Sequence, residues 1–317
     1  MGDDVLRLIL IACDPLLPVE SRVALTLRLL CGLTTSEIAR AFLVPEPTIA
    51  QRIVRAKRTL GEAQVPFEVP RGQELAERLA SVRHVIYLVY NEGYAASAGD
   101  DLMRPHLCED ALRLGRMLVE LVPDDAEAHG LLALTELQQS RASTRVDDAG
   151  DPVLLLDQDR TRWDRGLIDH GLAELERAES LASERGRYTI QAAVAACHAR
   201  ARLANETDWA RIVSLYGELS AVAPSPVVEL NRGIAISMAS GAAAGLEVLD
   251  ALTGEPSLRS YHPLPSARAH LLEKLGRFEE ARVEFERAAS LTENVRQRNR
   301  LLERARACGN GERRPPS

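Results

Sequence analysis

At 317 residues, 46% of them hydrophobic, the chain is long enough for two domains with cores of their own. Only 4% are aromatic, while Ala, Leu, Glu and Arg abound, and no run of alternating strands stands out, so the expected fold class is all-α. A net charge of −7 excludes a broad wrap around a phosphate backbone, yet the charge is uneven: residues 1–62 carry about +1 and the remainder about −8. The five cysteines (13, 31, 108, 197, 308) show no CxxC spacing, which fits a reducing compartment. No uncharged stretch reaches membrane-spanning length, and VLRLILIA (5–12) is too short for a signal peptide or a span, so a cytoplasmic chain without a membrane partner is expected.

Taken in order, the first elements form a helix-turn-helix pattern. A helix over about Glu20–Leu30 closes at Gly32. Thr34 or Thr35 can cap the next helix, with Glu37 placed to complete a capping box, and that helix ends near Phe42. A turn containing Pro45 and Pro47 precedes a longer helix to about Leu60. On it Ile49, Ile53, Ala56 and Leu60 share one face, while Gln51, Arg52, Arg55 and Arg58 fall largely on the others. A buried stripe then leaves a basic surface in which Gln and Arg can read base edges and Lys57 and the outer arginines can hold phosphates. An ordinary amphipathic hairpin with solvated arginines is the alternative that the pattern leaves open.

AQVPFEVPRG (63–72) reads as a linker, because its prolines and glycine break a helix. Helices are expected at about 73–92, 105–121, 125–141, 160–182, 187–204, 208–222, 226–239, 242–252, 261–275, 278–291 and 293–307. Residues 262–294 have the look of a tetratricopeptide unit: Ala267 and Ala269 allow close helix contact, Leu275-Gly276 turn, and Ala281, Phe285 and Ala288 form a packing stripe. Residues 225–252 are a weaker copy, with Gly241 lying 35 residues before Gly276, and 189–222 a third. Stacked helix pairs share cores and present a concave surface. The organisation expected is therefore 1–62 as a DNA-binding head, 63–72 as linker, 73–307 as a helical repeat domain, and 308–317 as a disordered tail.

Several body residues stand out. In Tyr90-Asn91-Glu92-Gly93-Tyr94, Gly93 suits a left-handed helix cap, and Asn91, Glu92 and Tyr94 could instead face a partner or the other domain. Asp157 or Asp159 could cap a helix starting near Arg160. Arg160, Trp163 and Arg165 are the residue types that anchor a partner on a concave face. The seven histidines are dispersed, and there is no glycine-rich phosphate loop, GxSxG or HExxH. No enzyme, metal or cofactor is expected.

The strings LRLILIACDPLLPVESRVALTLRLL and LTTSEIARAFLVPEPTIAQRIVRAKRTL resemble region 4 of an extracytoplasmic-function (ECF) sigma factor. IYLVYNEGYAAS, LLLDQDRTRWDRGLI, AACHARA and APSPVVELNRGIAI are similar to the ECF subgroup with a long C-terminal tetratricopeptide-like extension, so the resemblance covers almost the whole chain. It implies a transcription initiation factor that reads the promoter −35 element and contacts core RNA polymerase. It also implies a repeat domain that binds a regulatory protein or docks on the head. Pro47, Thr48, Gln51, Arg52 and Arg55 occupy the first turns of the longer helix, where bases are met. By resemblance Gln51 and Arg52 contact bases and Arg55 and Arg58 hold phosphates, while Thr48 could cap or touch a phosphate and Thr34 and Thr35 lie where a helix start favours phosphate. A region 2, which such factors use to melt promoters, is not expected within this chain. The rival expectations are a tetratricopeptide-like protein-binding scaffold and a one-component helix-turn-helix regulator.

Overall fold

The computed structural model describes residues 2–42, 44–64, 69–96, 98–147 and 150–309. The N-terminal part holds α1 (Gly2–Ala12), α2 (Val19–Leu29), α3 (Thr35–Ala41) and α4 (Glu46–Glu62). Then come α5 (Gly72–Tyr94), α6 (Pro105–Leu121), α7 (Ala126–Gln139), α8 (Arg165–Leu181), α9 (Arg187–Arg200), α10 (Trp209–Val222), α11 (Pro226–Ser240), α12 (Ala242–Ala251), α13 (Pro263–Lys274), α14 (Phe278–Leu291) and α15 (Val295–Gly309). The fold is all-α, with one two-residue parallel ladder among the described residues, between β1 (Ala98–Gly99) and β2 (Glu293–Asn294).

Local chemistry accounts for most boundaries. Pro105, Pro226 and Pro263 sit in first turns, where a missing N–H costs nothing. Asp125 accepts from the N–H groups of Glu127 and Ala128 at the start of α7. Gly241 and Gly276 take positive φ (99° and 76°) in the turns of two hairpins, α11–α12 and α13–α14, the two positions that the repeat spacing singled out. Ala281, Phe285 and Ala288 are fully buried as their packing stripe requires.

Four local expectations need correction. Pro47, read both as part of the preceding turn and as a first-turn residue, lies in the first turn of α4. Arg160–Arg162 form a separate single 3-10 turn, and the helix starts only at Arg165: Asp159 caps the turn by accepting from the Thr161 N–H (3.0 Å), and Asp164 caps α8 by accepting from the Leu167 N–H (3.0 Å). The last helix runs through Gly309, so 308–309 belong to it, and 310–317 lie outside the described residues. Gly93 is no cap: it sits within α5, where an added Cβ would come within 2.7 Å of the Cys108 backbone nitrogen. Its missing side chain lets the start of α6 abut α5.

Of the stretch read as a linker, 65–68 lie outside the described residues. The apolar core does not break there. One cluster runs from Ile9 through Ile38, Ile49 and Val85 to Leu219 and Ala235, while a second begins at Leu230 and ends at Cys308. Helices α1 and α2 pack on α5, and polar ties reinforce the contact. Asp14, 1% exposed, pairs with Arg78 of α5. Arg22 donates to the Ser81 hydroxyl, which donates to the Cys13 carbonyl. Arg113 of α6 donates to the Leu30 carbonyl (3.1 Å).

The C-terminal end returns to the start of the body. Besides the β1–β2 ladder, buried Asn294 donates to the Asp101 carbonyl (2.9 Å), and Arg296 pairs with Asp151 (3.4 Å).

Candidate nucleic-acid interface

The recognition geometry is built by α2, α3 and α4. Gly32 (φ 73°) turns the chain after α2. The capping box at α3 is reciprocal: the Thr34 N–H donates to Glu37 Oε2 (2.7 Å) and the Glu37 N–H to Thr34 Oγ1 (3.2 Å). The Thr34 hydroxyl also donates to Glu37 Oε2 (2.7 Å), so this helix start already carries a carboxylate. Thr35 beside it is half-buried.

Ile49, Ile53 and Ala56 of α4 are buried against α2 and α3. Away from this stripe, Pro47, Gln51, Arg55 and Arg58 are exposed, as is Lys57 at its edge, and Thr48 is half-buried. Val54 is 65% exposed on the same outward face. Sequence reasoning passed over it, although its spacing with Pro47, Gln51 and Arg58 was the available signal; an apolar side chain there can meet a thymine methyl. Arg58 makes one loose ion pair with Glu62 (3.6 Å), both well exposed. Arg52 sits apart from this face. It is half-buried and lines a crevice of about 380 Å³ with Glu20, Phe42 and, from α5, Leu88, Asn91 and Glu92.

The body residues singled out in sequence are not brought together. Asn91 and Glu92 line the crevice facing the head, and Glu92 pairs with Arg104. Tyr94 is buried, stacked on Tyr90 with 5.5 Å between centroids and lying 3.7 Å beneath the Arg145 guanidinium. Arg160 is buried and donates to the carbonyls of His198 (2.9 Å) and Ala201 (3.1 Å) at the end of α9, and to Thr207 Oγ1 (3.0 Å). Trp163, also buried, donates from Nε1 to Thr144 Oγ1 (3.1 Å). Tyr94, Arg160 and Trp163 are therefore engaged inside the body rather than standing as surface anchors; Arg165 alone of the second group is exposed.

A buried polar chain that sequence spacing did not reveal ties α6, α7 and α8. Glu136, wholly buried, accepts from Arg116 (2.8 Å) and meets His170; His129 Nδ1 lies 2.6 Å from Glu174. Burial pushes the thiols of Cys13, Cys31 and Cys108 up to about 12, which keeps them protonated and poor nucleophiles. Among the described residues no group of three or more His, Cys, Asp or Glu could hold a metal ion, and no helix is long and apolar enough to cross a membrane.

A short helix leading into a longer one, with one face buried and a basic face bare, defines a helix-turn-helix DNA-binding protein. Residues 7–60 match the family Sigma-70, region 4, which makes the chain sigma-factor-like, with promoter DNA and RNA polymerase as implied partners. Residues 78–179, covering most of α5 through α8, match a family of unknown function (DUF6596). The chain is 46% identical over 293 residues to an uncharacterized protein of Rhizobium meliloti (strain 1021), across 92% of this chain and 69% of that protein. The chain belongs to the family of that rhizobial protein.

Proposed function

We propose that the protein is a sigma factor of the ECF type, whose head (1–62) reads the promoter −35 element while touching RNA polymerase in the cytoplasm. The body (73–307), a tetratricopeptide-like array joined through 63–72, regulates that activity by binding a protein or by bearing on the head. The observation that carries this reading is the outward face of α4, where Gln51, Val54, Arg55 and Arg58 stand exposed above the buried Ile49–Ile53–Ala56 stripe. Gln51 takes a base edge and Val54 an apolar edge, while Arg55, Lys57 and Arg58 hold phosphates. Thr48 and Pro47 lie at the groove entrance, and Thr35 serves phosphate better than Thr34, whose hydroxyl is held by Glu37. Arg52 reaches from the flank, so its contact with DNA depends on the crevice it shares with α5.

The test is fluorescence anisotropy with a duplex carrying a candidate −35 element and a scrambled duplex, across a salt series. Selective binding that weakens with salt is expected, and Gln51→Ala should cost about 1–3 kcal/mol of discrimination. Equal binding to both duplexes, unchanged in Gln51→Ala both alone and with core polymerase present, would contradict the reading.

A further inference from the structure

The body encloses a cavity of about 510 Å³ between α7, α9, α10 and α11, within the size range of small-molecule sites. Its walls are apolar and aromatic, with Leu137, Trp163, Val194, Tyr216 and Leu219 among them. Its polar groups include Gln138, Gln191 and Asn231, together with Arg141, Arg187 and His198.

The charge of this lining is unusual for the chain. The protein has 46 Asp and Glu against 39 Lys and Arg, yet no carboxylate lines the cavity and two guanidiniums do. Neither is neutralised elsewhere: among the described residues no carboxylate oxygen lies within 4.0 Å of Arg141 or Arg187. Arg141 has the Tyr94 ring 5.7 Å away and Arg187 the Tyr188 ring 5.0 Å away, contacts that leave their charge uncompensated. His198 adds a third uncommitted group. Its ring meets Trp209 edge-on at 5.2 Å, and its buried Nδ1 has no hydrogen-bond partner. Burial, with the charges of Arg141 and Arg160, holds His198 down to about 3, so it enters the site as a neutral donor or acceptor.

Unpaired cations over an apolar floor select a ligand with one anionic group and an apolar body. We propose that this cavity is a binding site for a small organic anion, its charged group held by Arg141 and Arg187 and its aromatic or branched body seated against Trp163, Tyr216 and Leu219. The ligand would join α7, α9 and α11, the first helices of successive hairpins, and so stiffen the curvature of the body. This inference stands apart from promoter reading and does not depend on it.

The probe is anilinonaphthalene sulfonate, an aromatic anion that fluoresces when it leaves water, set against its uncharged counterpart phenylnaphthylamine. The full chain should bind the anion saturably at one site, with the emission of its two tryptophans, 163 and 209, falling in step by energy transfer. The uncharged probe should bind at least about tenfold more weakly. Arg141→Gln and Arg187→Gln should each remove most of that preference. Ala195→Trp, which fills the cavity without changing charge, should abolish binding of both probes while the thermal midpoint is kept. Competition by naphthoate and by naphthyl phosphate then tells a carboxylate from a phosphate head group. Unsaturable binding, equal affinity for the charged and uncharged probes, or binding that survives Ala195→Trp would overturn the proposal. If Arg141→Gln does not fold, the exposed Arg187→Gln and Ala195→Trp decide it.

Discussion

Two amphipathic helices, α4 in the head and α14 in the last hairpin, both carry cations and use them differently. In α14 and the turn before it, Arg277 pairs with Glu280 (2.6 Å) and Arg282 with both Glu279 (2.5 Å) and Glu286 (2.6 Å). In α4 the only carboxylates are Glu46 and Glu62 at its ends, and among the described residues Arg58 alone of its cations has an ion pair. The difference teaches that arginine density is a weak signal of a nucleic-acid face. The informative feature is a group of cations with few carboxylates three or four residues away, as in α4, where only Arg58 has one, because an exposed i,i+4 pair already satisfies the cation.

The largest way to sharpen the comparison is to remove a core residue from one region. Phe285→Ala should destabilise the second apolar cluster by about 3–5 kcal/mol in denaturant unfolding, since a fully buried ring leaves a cavity. DNA affinity of the folded protein should hold. Equal loss of DNA binding would mean that the last hairpin supports the head directly.

Arg78→Ala should come next, at about 3 kcal/mol, because it strands the buried Asp14 carboxylate at the head–body contact. Here DNA affinity should change as well, through the seating of α1 and α2 on α5. A destabilisation below about 1 kcal/mol would mean that Asp14 finds water or another partner.

A pH effect is smaller over any single pH unit. The folded-state His198 titrates at about 3 against 6.5 when free, so between these values the unfolded chain binds a proton that the folded chain refuses. This contribution to stability is fully present above about pH 6.5 and is lost as pH falls toward 3, at up to about 1.4 kcal/mol per pH unit. His198→Gln should flatten that slope, and an unchanged slope would show that carboxylates alone set it. Smallest of all, Arg282→Ala should leave unfolding and DNA binding nearly as they were, since its exposed ion pairs contribute little.

Much of this architecture was legible locally. The ends of α6 and α14 fall where periodicity puts them, at Pro105–Leu121 and Phe278–Leu291, and the Thr34–Glu37 capping box forms as its spacing implies. Periodicity also separates the buried face of α4 from the exposed one. What was not legible depends on partners far along the chain. Gly93 reads as a cap until Cys108 is placed against it. Arg160 and Trp163 read as partner anchors until the end of α9 and Thr144 close over them. The continuity of the core across 63–72 rests on contacts such as Asp14–Arg78, which local sequence does not announce. For the interface, spacing placed Arg52 beside Gln51, but only the packing of α5 shows that it lies in a crevice.

The central claim is that the exposed cations of α4, which have at most the loose Arg58–Glu62 pair between them, hold DNA while the closely paired cations of the last hairpin do not. The most direct measurement is the slope of log affinity against log salt for a −35 duplex, compared among wild type, Arg55→Ala/Arg58→Ala and Arg277→Ala/Arg282→Ala. The head variant should lose about one unit of slope for each phosphate contact removed, with the body variant matching wild type. A body variant that loses as much slope as the head variant, or a head variant that loses none, would contradict the account.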